Sequence, residues 1–275
     1  MTVATQQLRA AYAFVERNGN IVKRYWAWEI VWLAYSMADS LAVSFIGLGM
    51  GAIEGGQVLD TKYLVLYLVI GTLVWRYLSL IFIWITEIIS IERWEGTIEY
   101  TLMAPIHRIT HMGGQTVFAI VYSLVFTAIV LGANVLMFHI NLANANLFGG
   151  LVMLLAGSFS FVGLGIMGSI LPLLFPERGQ QMTHVIIAIM LLVSGVYYPI
   201  SVLPPFLRAA STFSPATYVL QGARDALLKG STLPQLWPSI WPTLIMGVIM
   251  IPAGLWVFRR AEVYAKRTGK LHRNG

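Results

Sequence analysis

The apolar residues of this chain gather in long runs separated by short polar breaks, at 30–50, 63–89, 117–138, 147–175, 182–198 and 237–258. A helix needs roughly 20 apolar residues to cross the hydrocarbon of a bilayer, and the runs approach or exceed that length. The pattern predicts an all-α integral membrane protein with six transmembrane helices. The fifth run sits at the short limit, while the second and fourth are long enough to tilt or to continue as helix beyond the hydrocarbon. Ahead of the first run the pattern changes. Leu8, Ala11, Tyr12 and Val15 recur at helical spacing, with Arg9, Glu16 and Arg17 elsewhere on the wheel. This predicts an amphipathic helix over 6–17 lying on the cytoplasmic leaflet, with a frayed soluble tail as the alternative. Asn18-Gly19-Asn20 is expected to break it. Residues 1–20 mix polar and apolar positions without the continuous apolar core and cleavage site of a signal peptide, so the chain is expected to stay intact.

Composition agrees with the runs. Hydrophobic residues make up 57% and charged residues 11%, against roughly 25% charged in a soluble domain. The net charge of +6 gains its meaning from where the charges lie. With both termini in the cytoplasm, thirteen of the eighteen Lys and Arg residues flank the cytoplasmic ends of the runs, four lie outside, and Arg76 falls within a run. The positive-inside rule favours that orientation, and the expected location is the inner or plasma membrane. The densest basic cluster, 259–273, directly follows the last run and lacks interleaved aromatic rings for base stacking, so no nucleic-acid partner is expected. Trp26, Trp28 and Trp32 near one interface and Trp237 and Trp241 near the other fit aromatic belts in contact with membrane lipids. The organisation read from this is an N-terminal interfacial segment at 1–28, a membrane domain at 29–258 and a basic cytoplasmic tail at 259–275. The absence of cysteine excludes a disulfide framework, thiolate metal sites and cysteine nucleophiles.

One cytoplasmic break is more informative than the rest. On a helix Glu92, Glu95 and Glu99 share a face through spacings of three and four, beside an apolar stripe of Ile91, Trp94 and Ile98. Gly96 weakens such a helix by about 1 kcal/mol, so a bend is expected there, and Pro105 should end the element. Adjacent acidic and apolar faces suit docking; a solvated loop is the plainer alternative. On the opposite side, Ser214 is placed to cap a helix, Pro215 suits its first position and Gly230 its stop. The Pro-rich, charged stretch 199–230 cannot span alone and favours a re-entrant or interfacial hairpin over a further crossing, with an ordinary loop as alternative.

Two stretches carry a family resemblance. Glu92-Arg93-Trp94-Glu95-Gly96-Thr97-Ile98-Glu99 followed by Ala104-Pro105 resembles the ABC-2 type permease pattern of acidic residues around Gly-Thr and then Thr-Pro, from which Ala104 departs. Ser194-Gly195-Val196-Tyr197-Tyr198-Pro199-Ile200, Leu203-Pro204, Ser214-Pro215-Ala216-Thr217-Tyr218 and Gly222-Ala223-Arg224-Asp225 follow the order of that family's C-terminal half. The resemblance implies the transmembrane subunit of a type V ABC exporter, similar to daunorubicin-resistance and lipo-oligosaccharide exporters. Residues at about 90–106 would form a coupling helix that fits a groove on a separate ATPase subunit, through Glu92, Glu95, Gly96, Thr97 and Glu99, with Pro105 at its exit. Residues 199–230, including Pro199, Pro204, Pro215 and Arg224, would form short re-entrant helices at the outer mouth. ATP and magnesium would be bound by the partner, this chain needing no cofactor of its own, and a second copy of this chain or a related permease would complete the complex. The implied cargo is amphipathic or lipid-linked: a drug, glycolipid or saccharide. The competing classes are a secondary carrier or channel and a lipid-modifying membrane enzyme.

Asp39 and Arg76 lie inside predicted spans at similar depth, each costing roughly 2.5–3.5 kcal/mol at the bilayer centre. They are expected to form an ion pair, or to line a polar pathway. Gly47, Gly49 and Gly51, and Gly163, Gly165 and Gly168, are expected to let helices approach closely. His107 and His111 are spaced to face together, but with no third ligand they are expected at the surface or interface rather than on a metal. The only Gly-Lys, Gly269-Lys270, precedes Leu271 and makes no phosphate loop; Gly-x-Ser-x-Gly and His-Glu-x-x-His are also missing. The chain is therefore expected to transport rather than catalyse.

Overall fold

A computed structural model describes residues 2–53, 61–138 and 144–268. Among them every regular element is helical. In chain order these are α1 (Val3–Arg24), α2 (Trp26–Ile53), α3 (Thr61–Trp94), α4 (Ile98–Met103), α5 (Arg108–Phe138), α6 (Leu147–Gly168), α7 (Ile170–Leu174) and α8 (Gly179–Ser194). A single 3-10 turn (Ile200–Val202), α9 (Pro205–Ser211), α10 (Pro215–Lys229) and α11 (Leu233–Arg267) follow.

Among the described residues five stretches are long and apolar enough to cross a membrane: Trp26–Gly49, Tyr63–Trp94, Arg108–Phe138, Leu147–Leu174 and Leu233–Arg267. With several such helices the chain is a multi-pass membrane protein. The predicted fifth span is the difference. It forms α8, whose 16 residues reach about 24 Å, short of the roughly 30 Å hydrocarbon. It ends where Gly195 turns left-handed at φ 70°, before the predicted end at 198, and Pro199 then holds the chain extended.

Helix α3 is the axis of the bundle. Tyr77, Leu78, Ile81, Phe82, Ile85, Ile88 and Ile89 are all buried, so it is enclosed nearly all round. It packs against α2, α5, α6 and α10, and its C-terminal half against α7 and α8. The most extensive helix contact among the described residues is that of α6 with α11. A Cβ on Gly163 would lie 2.6 Å from Met250 Cβ, while one on Gly165 or Gly168 would press on Ile85 or Thr86 of α3. Small residues on two sides of α6 thus admit two neighbours at once. Gly47 similarly faces Val65 and Leu68, whereas Gly49 faces open space; the surroundings of Gly51 lie outside the described residues.

The predicted break at Asn18-Gly19-Asn20 does not occur. Helix α1 continues to Arg24, because Asn18 is buried and its amide donates to Gln115 Oε1 of α5, replacing the local backbone bonds that favour a turn. Helix α1 also packs on α5. Phe14 packs against Gly114, and Gln7 bridges the His107 backbone N–H and the Thr110 hydroxyl, while Leu8 and Tyr12 stay exposed. At the other terminus, α11 runs unbroken past 258 to Arg267, with Phe258, Ala261 and Ala265 buried.

Candidate functional site

The end of α3 and all of α4 form the acidic segment singled out above. The α3 helix stops where Gly96 takes φ 71°, a conformation that side chains with a Cβ rarely adopt. The backbone closes the turn through Gly96 N to Arg93 O at 3.0 Å and Thr97 N to Glu92 O at 2.8 Å. Helix α4 then buries Ile98, Thr101 and Leu102 and exposes Glu99, Tyr100 and Met103. With exposed Trp94 and Glu95 just before the turn, this makes one outward surface of mixed acidic and apolar character. Thr97 sits at the start of α4 without a side-chain cap, its hydroxyl 3.4 Å from Glu92 O. Pro105 closes the element, its carbonyl accepting from Gln7 Nε2.

Glu92 is not on that surface. It lies on the inward side of the last turn of α3, whereas Glu95 and Glu99 are exposed, and its side chain is completely buried. Oε1 accepts from both terminal nitrogens of Arg17, each at 3.1 Å, and lies 3.0 Å from His111 Nε2. Phe14 covers the cluster, its ring 4.7 Å from that of His111 and 5.5 Å from the Arg17 guanidinium carbon. His111 is therefore a core residue rather than the expected surface histidine, while His107 is exposed. Among the described residues no group of three His, Cys, Asp or Glu side chains is placed to hold a metal.

Two further attachments flank α4. Arg93 Nη2 donates to Leu173 O of α7 at 2.6 Å. Arg108 donates to Glu262 of α11 at 2.9 and 2.8 Å, and to the Thr101 and Leu102 carbonyls at the end of α4; Lys266 pairs with Glu262 at 2.7 Å. The end of α3 is thus tied to α1, α5 and α7, and the short α4 to α5 and α11, by charged hydrogen bonds, the stronger kind. Arg17, Arg108 and Glu262 did not stand out in the sequence, because each lies far along the chain from its carboxylate or guanidinium partner. Beside this mount a polar cleft of about 340 Å³ lies between α1 and Glu95, lined by Glu16, Arg17, Asn20 and Arg24 among others.

Deeper in the bundle, Arg76 Nη2 donates to Asp39 Oδ2 at 2.9 Å, and the guanidinium lies 5.6 Å from the Tyr35 ring centre. The pair is partly exposed on the flank of α2 and α3, with relative side-chain exposures of 36% for Asp39 and 22% for Arg76.

The segment after α8 turns back on itself. Pro199 precedes the 3-10 turn, Pro204 precedes α9, and Pro215 opens α10. Ser214 stands at the N-cap position but does not cap; its hydroxyl meets that of Ser194 at 2.8 Å, joining the start of α10 to the end of α8. Arg224 of α10 donates to the Gly195 and Val196 carbonyls at 3.0 and 2.5 Å, with its guanidinium carbon 3.6 Å from the Tyr67 ring centre. The arrangement depends on Gly71, where a Cβ would come 2.3 Å from Val196 O. Gly230 ends α10 with φ 66°. There Lys229 Nζ lies 2.6 Å from Asp225 Oδ1, and this hydrogen bond raises the ammonium above its ordinary pKa.

A long-helix bundle with an acidic and apolar turn mounted at one end is the architecture of a membrane transport subunit, and the comparisons agree. Residues 41–228, more than half of the chain, match the model of the ABC-2 type transporter family, and the chain belongs to that family. It is similar to the "Probable multidrug ABC transporter permease YbhR" of Escherichia coli (strain K12), 26% identical over 171 residues, which is 62% of this chain and 45% of that protein. The same-named protein of Escherichia coli O157:H7 matches equally. The aligned stretch covers less than half the length of these curated relatives. The chain is a transmembrane subunit of the ABC transporter class, a class of transport subunit that is generally non-catalytic.

Proposed function

We propose that this chain is the permease of an ATP-driven exporter, working with a separate ABC ATPase subunit that binds ATP and magnesium, and with a second copy of itself or a related permease. The observation that carries the reading is the outward surface of Trp94, Glu95, Glu99, Tyr100 and Met103, presented where the end of α3, tied to α1, α5 and α7, turns into α4, itself tied to α5 and α11. A push on α4 by the partner moves its mounts together, since packed interiors transmit displacement. Glu95 and Glu99 are the contacts to the ATPase in this reading, Gly96 and Thr97 shape the turn, Pro105 sets the exit, and Glu92 acts as the internal anchor.

Both termini lie in the cytoplasm in this proposal. After α7 the chain leaves the inner end of α6, yet α11 begins beside Asn146 at the other end, where Asn146 Nδ2 donates to Ser231 O at 2.8 Å. Helices α8 and α10 together therefore carry the sixth crossing in two pieces, with residues 199–230 at the outer mouth. The cargo is an amphipathic or lipid-linked molecule moved outward from the cytoplasm or inner leaflet, in keeping with the multidrug permease named among the relatives.

The test is reconstitution with the cognate ATPase. Glu95→Lys with Glu99→Lys should abolish co-purification of the ATPase and substrate-stimulated ATP hydrolysis while the permease remains folded. Unchanged assembly and stimulation would remove the coupling assignment.

A further inference from the structure

A cavity of about 250 Å³ lies between α3, α5, α6 and α10, in the half of the bundle away from α4. The central helix makes its floor, with Val69 and Leu73 among the buried residues there, and Leu227 of α10 closes one side. Along α5 it runs from Leu131 to Leu124, and along α6 from Leu147 to Leu154, about 10 Å in each case. It is therefore a slot parallel to the helix axes. Its open side is the gap between α5 and α6, which touch each other far less than either touches α3. The residues on that rim, Ala128, Leu147 and Leu151, are exposed.

The chemistry of the wall is uniform. Apart from Thr127, whose hydroxyl is buried, every residue around the slot is aliphatic or glycine. No ring borders it, although aromatic residues make up 12% of the chain, so nothing there selects a flat aromatic molecule. An apolar cavity of roughly 150 Å³ already stays dry and takes up small hydrocarbons, and this one is larger. Helices α3, α5 and α6 all belong to stretches able to cross a membrane, so the open side meets bilayer hydrocarbon. An acyl chain lies along the same axis as the slot, matches its aliphatic wall, and enters over exposed apolar lips without crossing a polar surface.

We propose that this slot binds one acyl chain of a bilayer lipid, from the leaflet at the α3 N-terminal end, as a fixed part of the structure. The chain fills the space that α5 and α6 leave between them and braces α3 against α10. Its lipid's headgroup stays at the interface by the start of α6. The brace lies next to the joint at the end of α8, since Ile70 and Ala223 of the wall adjoin Gly71 and Arg224, which meet the Val196 carbonyl. The site is independent of the export reading, because its occupant is a lipid of the surrounding bilayer and not cargo.

The probe is a phosphatidylcholine with a photoactivatable diazirine midway along one acyl chain, in phosphatidylcholine nanodiscs holding the full chain, with adducts located by mass spectrometry. Val69 and Leu73 are 1% and 5% exposed, out of reach of lipid that merely surrounds the protein. The wild type should nevertheless carry adducts on 69–73. Ala128→Trp and Leu151→Trp, which fill the mouth from opposite lips, should each cut those adducts at least about tenfold. Labelling of the exposed Val248 and Ile249 on α11 should stay unchanged, which also reports an intact fold. Ile129→Trp, exposed on α5 but off the slot, and Thr127→Val, which keeps the aliphatic shape, should both retain the adducts on 69–73. Should both plugging variants fail to fold, Ala128→Leu narrows the mouth with a residue suited to a lipid-facing helix and should give a smaller loss. Absence of adducts on 69–73 in the wild type, undiminished adducts in the plugged variants, or an equal loss in Ile129→Trp or Thr127→Val would overturn the site. Labelling of 69–73 by a diazirine-bearing dodecyl maltoside but not by the phosphatidylcholine would overturn the lipid as its occupant. Failure of ATPase stimulation would count against the export reading alone.

Discussion

Arg17 and Glu92, 75 positions apart, meet through two hydrogen bonds of 3.1 Å to a single carboxylate oxygen. The contact joins the N-terminal helix to the last turn of the central one, immediately before the bend that presents α4. Removing Arg17 would strand a fully buried carboxylate, and breaking one side of a buried pair costs roughly 3–5 kcal/mol. Arg17→Ala should therefore lower the unfolding temperature markedly and make α1 susceptible to protease. Arg17→Met with Glu92→Met, which removes both charges, should recover most of that loss. A double variant no more stable than Arg17→Ala would show that the pair is not the clamp.

The bend at Gly96 has a conformational cause alone. A Cβ there would meet nothing within 4 Å, yet φ is 71°. Gly96→Ala should cost about 1–2 kcal/mol, and Gly96→Asn less, since Asn tolerates this conformation better. Thermal melts of the three proteins should rank Gly, Asn, Ala.

Gly71 is constrained by space instead. An added methyl would meet Val196 O at 2.3 Å and Arg224 Nη2 at 2.7 Å. Overpacking of this kind costs roughly 1–3 kcal/mol, so Gly71→Ala should destabilise the protein and loosen the joint between α8 and α10. Hydrogen exchange over 195–224 should accelerate. Gly49→Ala, facing open space, should change neither quantity.

The Asp39 and Arg76 pair separates a structural from a transport role by charge exchange. Each single reversal, Asp39→Arg or Arg76→Asp, places like charges together within the bundle and should reduce the amount of folded protein in the membrane. The double exchange should restore it if the pair is structural. Restored folding without restored transport would assign the pair to the pathway.

Much of the architecture was legible because bilayer insertion imposes long apolar runs. Five of the six predicted spans coincide with long helices, and the glycines at 163, 165 and 168 do sit where helices meet. The fifth, already at the short limit, ends earlier than the run does, since a run of apolar residues does not report that Gly195 leaves the helix. The break expected at Asn18 failed for a related reason. Asn18 has local turn preferences that a partner on another helix, Gln115, overrides. For the acidic segment, spacing placed Glu92, Glu95 and Glu99 on one face, whereas Arg17 and His111 hold the first inward and the other two stay outside, Glu95 before the bend at Gly96 and Glu99 beyond it.

The sequence by itself determined that this chain is helical, membrane-embedded and of the ABC-2 kind, because hydropathy, the bias of basic residues and two local motifs are all carried by near neighbours along the chain. Only the tertiary structure decided which charges face one another. Arg17 with Glu92, Arg108 with Glu262 and Glu87 with Gln180 are separated by 75, 154 and 93 positions. Their pairing follows from how the helices cross, and in a bundle that geometry is set by close packing of whole faces, which no local pattern records.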